Sequence, residues 1–150
     1  MIPTRSTFKR TERKNKRYNN ISYHTCHIKH KHFLEYAALY ALKSPLKWKY
    51  AAIIVKKNKI ISIGYNHYTL TPFSGLYSTH AEIDALNNCK NKKDLSGAVM
   101  YVVHVNMNLL NNPSTYLSAA PCFDCEVKLC KCMKKFGLTT VYYSTEMIIN

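Results

Sequence analysis

Thr79-His80-Ala81-Glu82-Ile83-Asp84-Ala85-Leu86-Asn87-Asn88 and Pro121-Cys122-Phe123-Asp124-Cys125 are the two stretches from which the rest of the chain is read. Each opens a helix. Ser78 or Thr79 offers a capping oxygen to the first, and Glu82 and Asp84 suit its positive end. The second starts at Cys122 and runs to residue 136, where Gly137 ends it. His80 and Glu82 then fall in the first turn of one helix. Cys122 and Cys125, three apart, share one side of the first turn of the other. One imidazole, two thiols and a carboxylate are thereby offered at two helix N-termini, whose partial positive charge favours thiolate and tolerates the acid.

A catalytic zinc ion takes three nitrogen or thiolate ligands from the protein and leaves the fourth tetrahedral position to water. His80, Cys122 and Cys125 meet that requirement, so one Zn2+ per chain is expected, with Glu82 as the proton carrier beside it. A Cys-x-x-Cys alone also fits a structural zinc knuckle or a redox pair. In a closed structural site a fourth side chain would replace the water. The acid two residues after His80 favours the catalytic reading.

Apolar residues at helical spacing, Leu34, Ala38, Ala41 and Leu42, predict a first helix from Phe33 until Ser44-Pro45 stops it. The β-branched runs 50–55 and 60–64, separated by Lys56-Lys57-Asn58-Lys59, read as a hairpin whose turn lacks the Asn-Gly signal. A polar, aromatic loop follows over 65–78. Residues 99–105 form a nearly continuous apolar run, as in a strand covered on both faces. A long polar loop (106–120) precedes the Cys helix, and residues 139–144 are the last clear strand. The element order is α-β-β-α-β-α-β.

The combination H-x-E and P-C-x-x-C is the signature of zinc nucleobase deaminases, and on it the chain resembles the cytidine deaminase-like superfamily. Val102-Val-His-Val-Asn106, Leu117-Ser118 and Val141-Tyr-Tyr-Ser144 look closest to its dCMP and cytidine deaminase branch, viral members included. The resemblance implies a three-layer α-β-α fold in the α/β class. Its mixed sheet would have four strands, or five, in the order second-first-third-fourth, with helices on both faces. It implies hydrolytic deamination of a cytosine nucleotide or nucleoside to the uracil product with release of ammonia. It also implies that Asn66, in Gly64-Tyr65-Asn66, and the backbone of Ala81 contact the substrate. Asn66 reads equally as a turn-stabilising residue. Only residues 145–150 follow the fourth strand. Unless a partner, a loop or the N-terminal arm covers it, the edge at Val141 is then open.

The formal net charge is +14, from 22 basic and 8 acidic residues. Such a balance attracts phosphate-bearing partners. Lys, Asn, Ile and Tyr share A/T-rich codons, which discounts the lysines. Every arginine lies between Arg5 and Arg17. Residues 1–28 thus read as a basic, His-rich, flexible arm and 29–150 as the zinc-dependent domain. Two other functions stay open. One is deamination of cytosine in single-stranded DNA or RNA, or of adenosine in tRNA, with the arm tracking phosphates. The other is a zinc-bearing nucleic-acid-binding protein without turnover, against which Glu82 speaks. No apolar run approaches the roughly 20 residues of a membrane span. With no secretory signal and a Cys-x-x-Cys, a reducing cytoplasmic location is expected, possibly in a host cell, with a homo-oligomer as one option for its assembly.

Cys130 and Cys132 lie in the body of a helix and are expected to be packed. Cys26 with His24, His27 and His30 offers ligand types for an accessory metal site, although His-rich arms are usually solvated. His104 reads as a hydrogen-bonded core histidine. The aromatics Tyr65, His67, Tyr68, Phe73 and Tyr77 either stack on bases or pack over the first helix.

Overall fold

The computed structural model describes residues 18–21, 26–71, 75–105 and 116–145. The arginine cluster, His24, Pro72, Phe73, residues 106–115 of the long loop and residues 146–150 lie outside the described residues.

The apolar run at the centre becomes strand β6 (Val99–Val105), and its side chains alternate between two cores. Tyr101, Val103 and Val105 face helix α1 (Ile28–Ala41), with Ala51, Ile53 and Val55 of β2 (Lys49–Lys56) beside them. Met100 and Val102, with Ala52 and Ile54, face α2 (Ala81–Asn88) and α3 (Phe123–Phe136). This produces the expected three layers. Leu34 and Leu129 are fully buried on opposite faces, and each such side chain contributes about 1.5–3 kcal/mol. α1 begins earlier than its apolar pattern, because His27 caps it by accepting the Lys29 N–H at Nδ1, 3.2 Å away. Leu42, assigned to the buried face, is exposed.

β2 pairs antiparallel with β3 (Lys59–Tyr65) and with β6, while β6 pairs parallel with β8 (Thr140–Ser144). The strands second-first-third-fourth are thus neighbours as implied. Lys57 (φ 50°) and Asn58 (φ 64°) both occupy the left-handed region, as the central residues of a type I′ hairpin turn do.

Six strands, more than the four or five expected, make up this sheet. Tyr116–Leu117 (β7) adds two residues beside β6. The other addition comes from the stretch read as arm. Tyr18–Ile21 (β1) pairs parallel with β8 and covers the edge at Val141. The Tyr18 hydroxyl anchors it, donating to the Glu126 carbonyl at 3.3 Å and touching Cys130 Sγ at the same distance.

The aromatic loop is not a loop throughout. His67–Thr71 (β4) and Gly75–Thr79 (β5) form a separate two-stranded hairpin. Its alternation was hidden by Pro72 and Gly75, which read as loop punctuation. Among the described residues no helix is long and apolar enough to cross a membrane.

Candidate metal centre and substrate cavity

The N-termini of α2 and α3 converge, and the residues at their ends meet. His80 and Cys122 occupy the N-cap positions, one step outside the first turns in which the sequence placed them. Neither side chain caps its helix, and neither Ser78 nor Thr79 is the cap. The imidazole turns to sulfur instead. His80 Nδ1 lies 3.3 Å from Cys125 Sγ and 3.5 Å from Cys122 Sγ. All three ligand atoms fall within 4.8 Å of one another, the one such group of His, Cys, Asp or Glu among the described residues.

These spacings fit zinc. With Zn–N of about 2.0–2.1 Å and Zn–S of about 2.3 Å, tetrahedral ligands are separated by roughly 3.5–3.6 Å along an N···S edge. The donor set also needs a cation. Burial pushes the Cys125 thiol far up, and Glu82 and Cys122 raise it further. A divalent ion reverses that balance, because a coordinating thiol is deprotonated outright.

Glu82 sits at the second position of α2, only 5% exposed. Burial raises its carboxyl above the ordinary range, opposed by its own backbone N–H, by His80 and by Cys125. The acid is therefore poised to hold a proton. Beside it lies a cavity of about 430 Å³ whose walls include Trp48, Tyr50, Asn66, Tyr68, Ala81 and Glu82.

Asn66 has both ends of its amide engaged. Oδ1 accepts the Tyr50 N–H at 2.9 Å, and Nδ2 donates to the Trp48 carbonyl at 2.5 Å. It holds the start of β2 and lines the cavity at once. Ala81 is fully buried and also lines it. Of the aromatics, Tyr68 borders this cavity and Tyr77 a shallower one beyond His80. His104 is buried, 3.4 Å from the Ser118 carbonyl at Nδ1 and stacked flat on Tyr50 at 4.1 Å. Cys130 is packed against Tyr18, His27 caps α1, and His30 bonds the Tyr101 hydroxyl at 2.7 Å.

Trp48 and Tyr50 were not singled out from the sequence. Both stand at the entry to an apolar strand, where an aromatic residue reads as ordinary packing. Tyr50 is the more telling omission. Burial raises its hydroxyl's pKa, with Glu82 and Cys122 adding to the effect.

The hairpin that walls the cavity is tied to α2 through Asp84. One carboxylate oxygen accepts the Tyr65 N–H at 3.1 Å, and the other lies 3.0 Å from His67 Nε2. The Asp84 hydrogen bond raises the His67 pKa above 6.5, helped by the Tyr68 carbonyl. A raised histidine stabilises the fold fully below about pH 6.5 and loses that contribution as pH climbs through its folded value. The difference in Tm between the protein and His67→Gln should accordingly be largest near pH 5.5 and vanish in alkali. A partly exposed pair of this kind is worth about 0.2–1 kcal/mol. A difference independent of pH would refute the assignment.

A family model described as the cytidine and deoxycytidylate deaminase zinc-binding region matches residues 27–145. Among solved structures, the apo dCMP deaminase from the cyanophage S-TIM5 is similar in fold, with TM-score 0.53 and 24% identity over 77% of this chain and 82% of that one. The same phage's dCMP deaminase in complex with dCMP and dUMP gives TM-score 0.52 and 22% identity, covering 78% and 81%. No curated protein matches the chain significantly.

Proposed function

The chain belongs to the cytidine and deoxycytidylate deaminase family, and we propose that it hydrolyses a cytosine nucleotide to the uracil product and ammonia using one zinc ion. The observation that supports this most is His80 Nδ1 lying 3.3 and 3.5 Å from two cysteine sulfurs at the rim of a cavity that also holds a buried acid. His80, Cys122 and Cys125 would hold the metal. When bound, zinc supplies the Lewis acidity that makes water a nucleophile near neutral pH.

In this reading Glu82 takes a proton from the water that adds to C4 of the base. It passes that proton to N3, and a second proton transfer lets the amino group leave as ammonia. Water and cytosine are consumed, and uracil and ammonia balance them. Its raised pKa suits a group that must alternate between base and acid. The Ala81 N–H lies at the first position of α2, where helix donors lack an internal partner. It is the candidate to hold the base's carbonyl. Asn66 has a second Nδ2 hydrogen and a second oxygen lone pair beyond its two backbone bonds, and we assign these to the substrate.

dCMP is the first substrate to test, because the fold is shared with an enzyme of that specificity. Purified protein, with its zinc counted by elemental analysis, should release ammonia from dCMP in a panel that includes dCMP, deoxycytidine, single-stranded oligonucleotides and tRNA. Reaction on polynucleotides alone, falling steeply with salt, would replace this proposal with the strand-acting one. Zinc binding without any reaction would leave the binding-protein reading.

A further inference from the structure

The two ends of the cavity differ in chemistry. Glu82 and Cys122 mark the reactive end, whereas Leu46, Lys47 and Trp48 line the other. Trp48 is 60% exposed, so that end is the mouth. The segment carrying these residues is tied down. Ser44 Oγ accepts the Leu46 N–H at 3.2 Å, Lys49 Nζ donates to the Ser44 carbonyl, and Asn66 grips the backbone on either side of Lys49. Above this clamp the Trp48 ring stands edge-on to His104, and the Lys47 ammonium lies 5.3 Å from its centroid.

Lys47 is the one lysine lining the cavity among the described residues, and no carboxylate pairs with it there. A volume of about 430 Å³ falls in the ~300–1,000 Å³ range of small-ligand sites and holds a sugar as well as a base. With the base at Glu82, the far end of the sugar points to the mouth. We propose that Lys47 is the specificity-determining residue for a 5′-phosphate, so that the site takes a pyrimidine nucleoside monophosphate in preference to the nucleoside. This rests on the cytosine-nucleotide reading above and adds to it the group that discriminates. The ammonium and phosphate attract more strongly beside an apolar ring than in open water. Trp48 holds the cation near the mouth through its ring face, and the clamped backbone limits the ordering cost of binding.

Trp48 is the only tryptophan in the chain, so its fluorescence reports occupancy of the mouth without turnover. Full-length protein should be titrated with dUMP and with deoxyuridine, and calorimetry should repeat the measurement. A charge-assisted contact predicts about 10–100-fold tighter binding of dUMP. That ratio should fall to near one in Lys47→Ala, return in Lys47→Arg, and shrink with added salt only where the cation is present. Equal affinities in the parent protein, or an undiminished ratio in Lys47→Ala, would overturn the inference. An oligonucleotide that outcompetes dUMP through Lys47 would overturn the monophosphate assignment. If neither ligand binds the parent protein, the cytosine-nucleotide reading itself fails and this inference falls with it.

Discussion

Replacing Glu82 by Gln is expected to lower kcat on dCMP by about 10²–10⁴-fold while the protein keeps its zinc and its melting temperature. The amide fills the same space but can neither take a proton from water nor deliver one to the base. No fold cost is anticipated, because burial already penalises the charged carboxylate and the amide carries no charge. Retention of more than about a tenth of the rate would remove Glu82 from the proton path. Loss of zinc together with the rate would instead make Glu82 a structural support of the cluster. The readouts are single-turnover kinetics, elemental analysis and thermal melting on the same sample.

Gly64→Ala should be the most damaging single methyl group. Gly64 lies on β3 directly beneath α2, where a Cβ would collide with the Ala85 backbone nitrogen and come within 2.7 Å of the Ala81 carbonyl oxygen. These are main-chain atoms of a helix, and they cannot rotate aside. The Ser62 hydroxyl bonds the Ala85 carbonyl at 2.6 Å and holds helix and strand together at the same place. Overpacking usually costs about 1–3 kcal/mol. Backbone collision places this change at or above the upper end, on the order of 10 °C in Tm. α2 carries His80 and Glu82 at its N-terminus, so lifting it should also weaken zinc retention. A variant that melts within about 2 °C of the parent would show that α2 slides without cost.

The grouping of His80, Cys122 and Cys125 was legible because each lies at the start of a helix with its own sequence signature, and two helix starts need only converge. The central sheet was legible for a similar reason: runs such as 99–105 are apolar enough to require cover on both faces. β1 carried no such mark. Tyr-Asn-Asn-Ile is short and polar, and its strand conformation comes from pairing with β8 and from the Tyr18 hydroxyl. The β4–β5 hairpin was obscured by turn formers at its tip. The cavity wall was harder still, since Trp48, Tyr50, Asn66 and Tyr68 come from three segments with no fixed spacing. Asn66 was singled out through resemblance alone, and its grip on two backbone groups could not be read from the chain.

The pairing of β1 with β8 also bears on how the molecule is made. Tyr18 and Val141 are partners, about 120 residues apart, so their contact carries a high loop-closure cost and a long wait. A ribosome adding roughly 5–20 residues per second completes Tyr18–Ile21 many seconds before Thr140–Ser144 exists. The nascent N-terminal segment must stay unpaired through that interval, and the final seam of the sheet closes only as the chain is released.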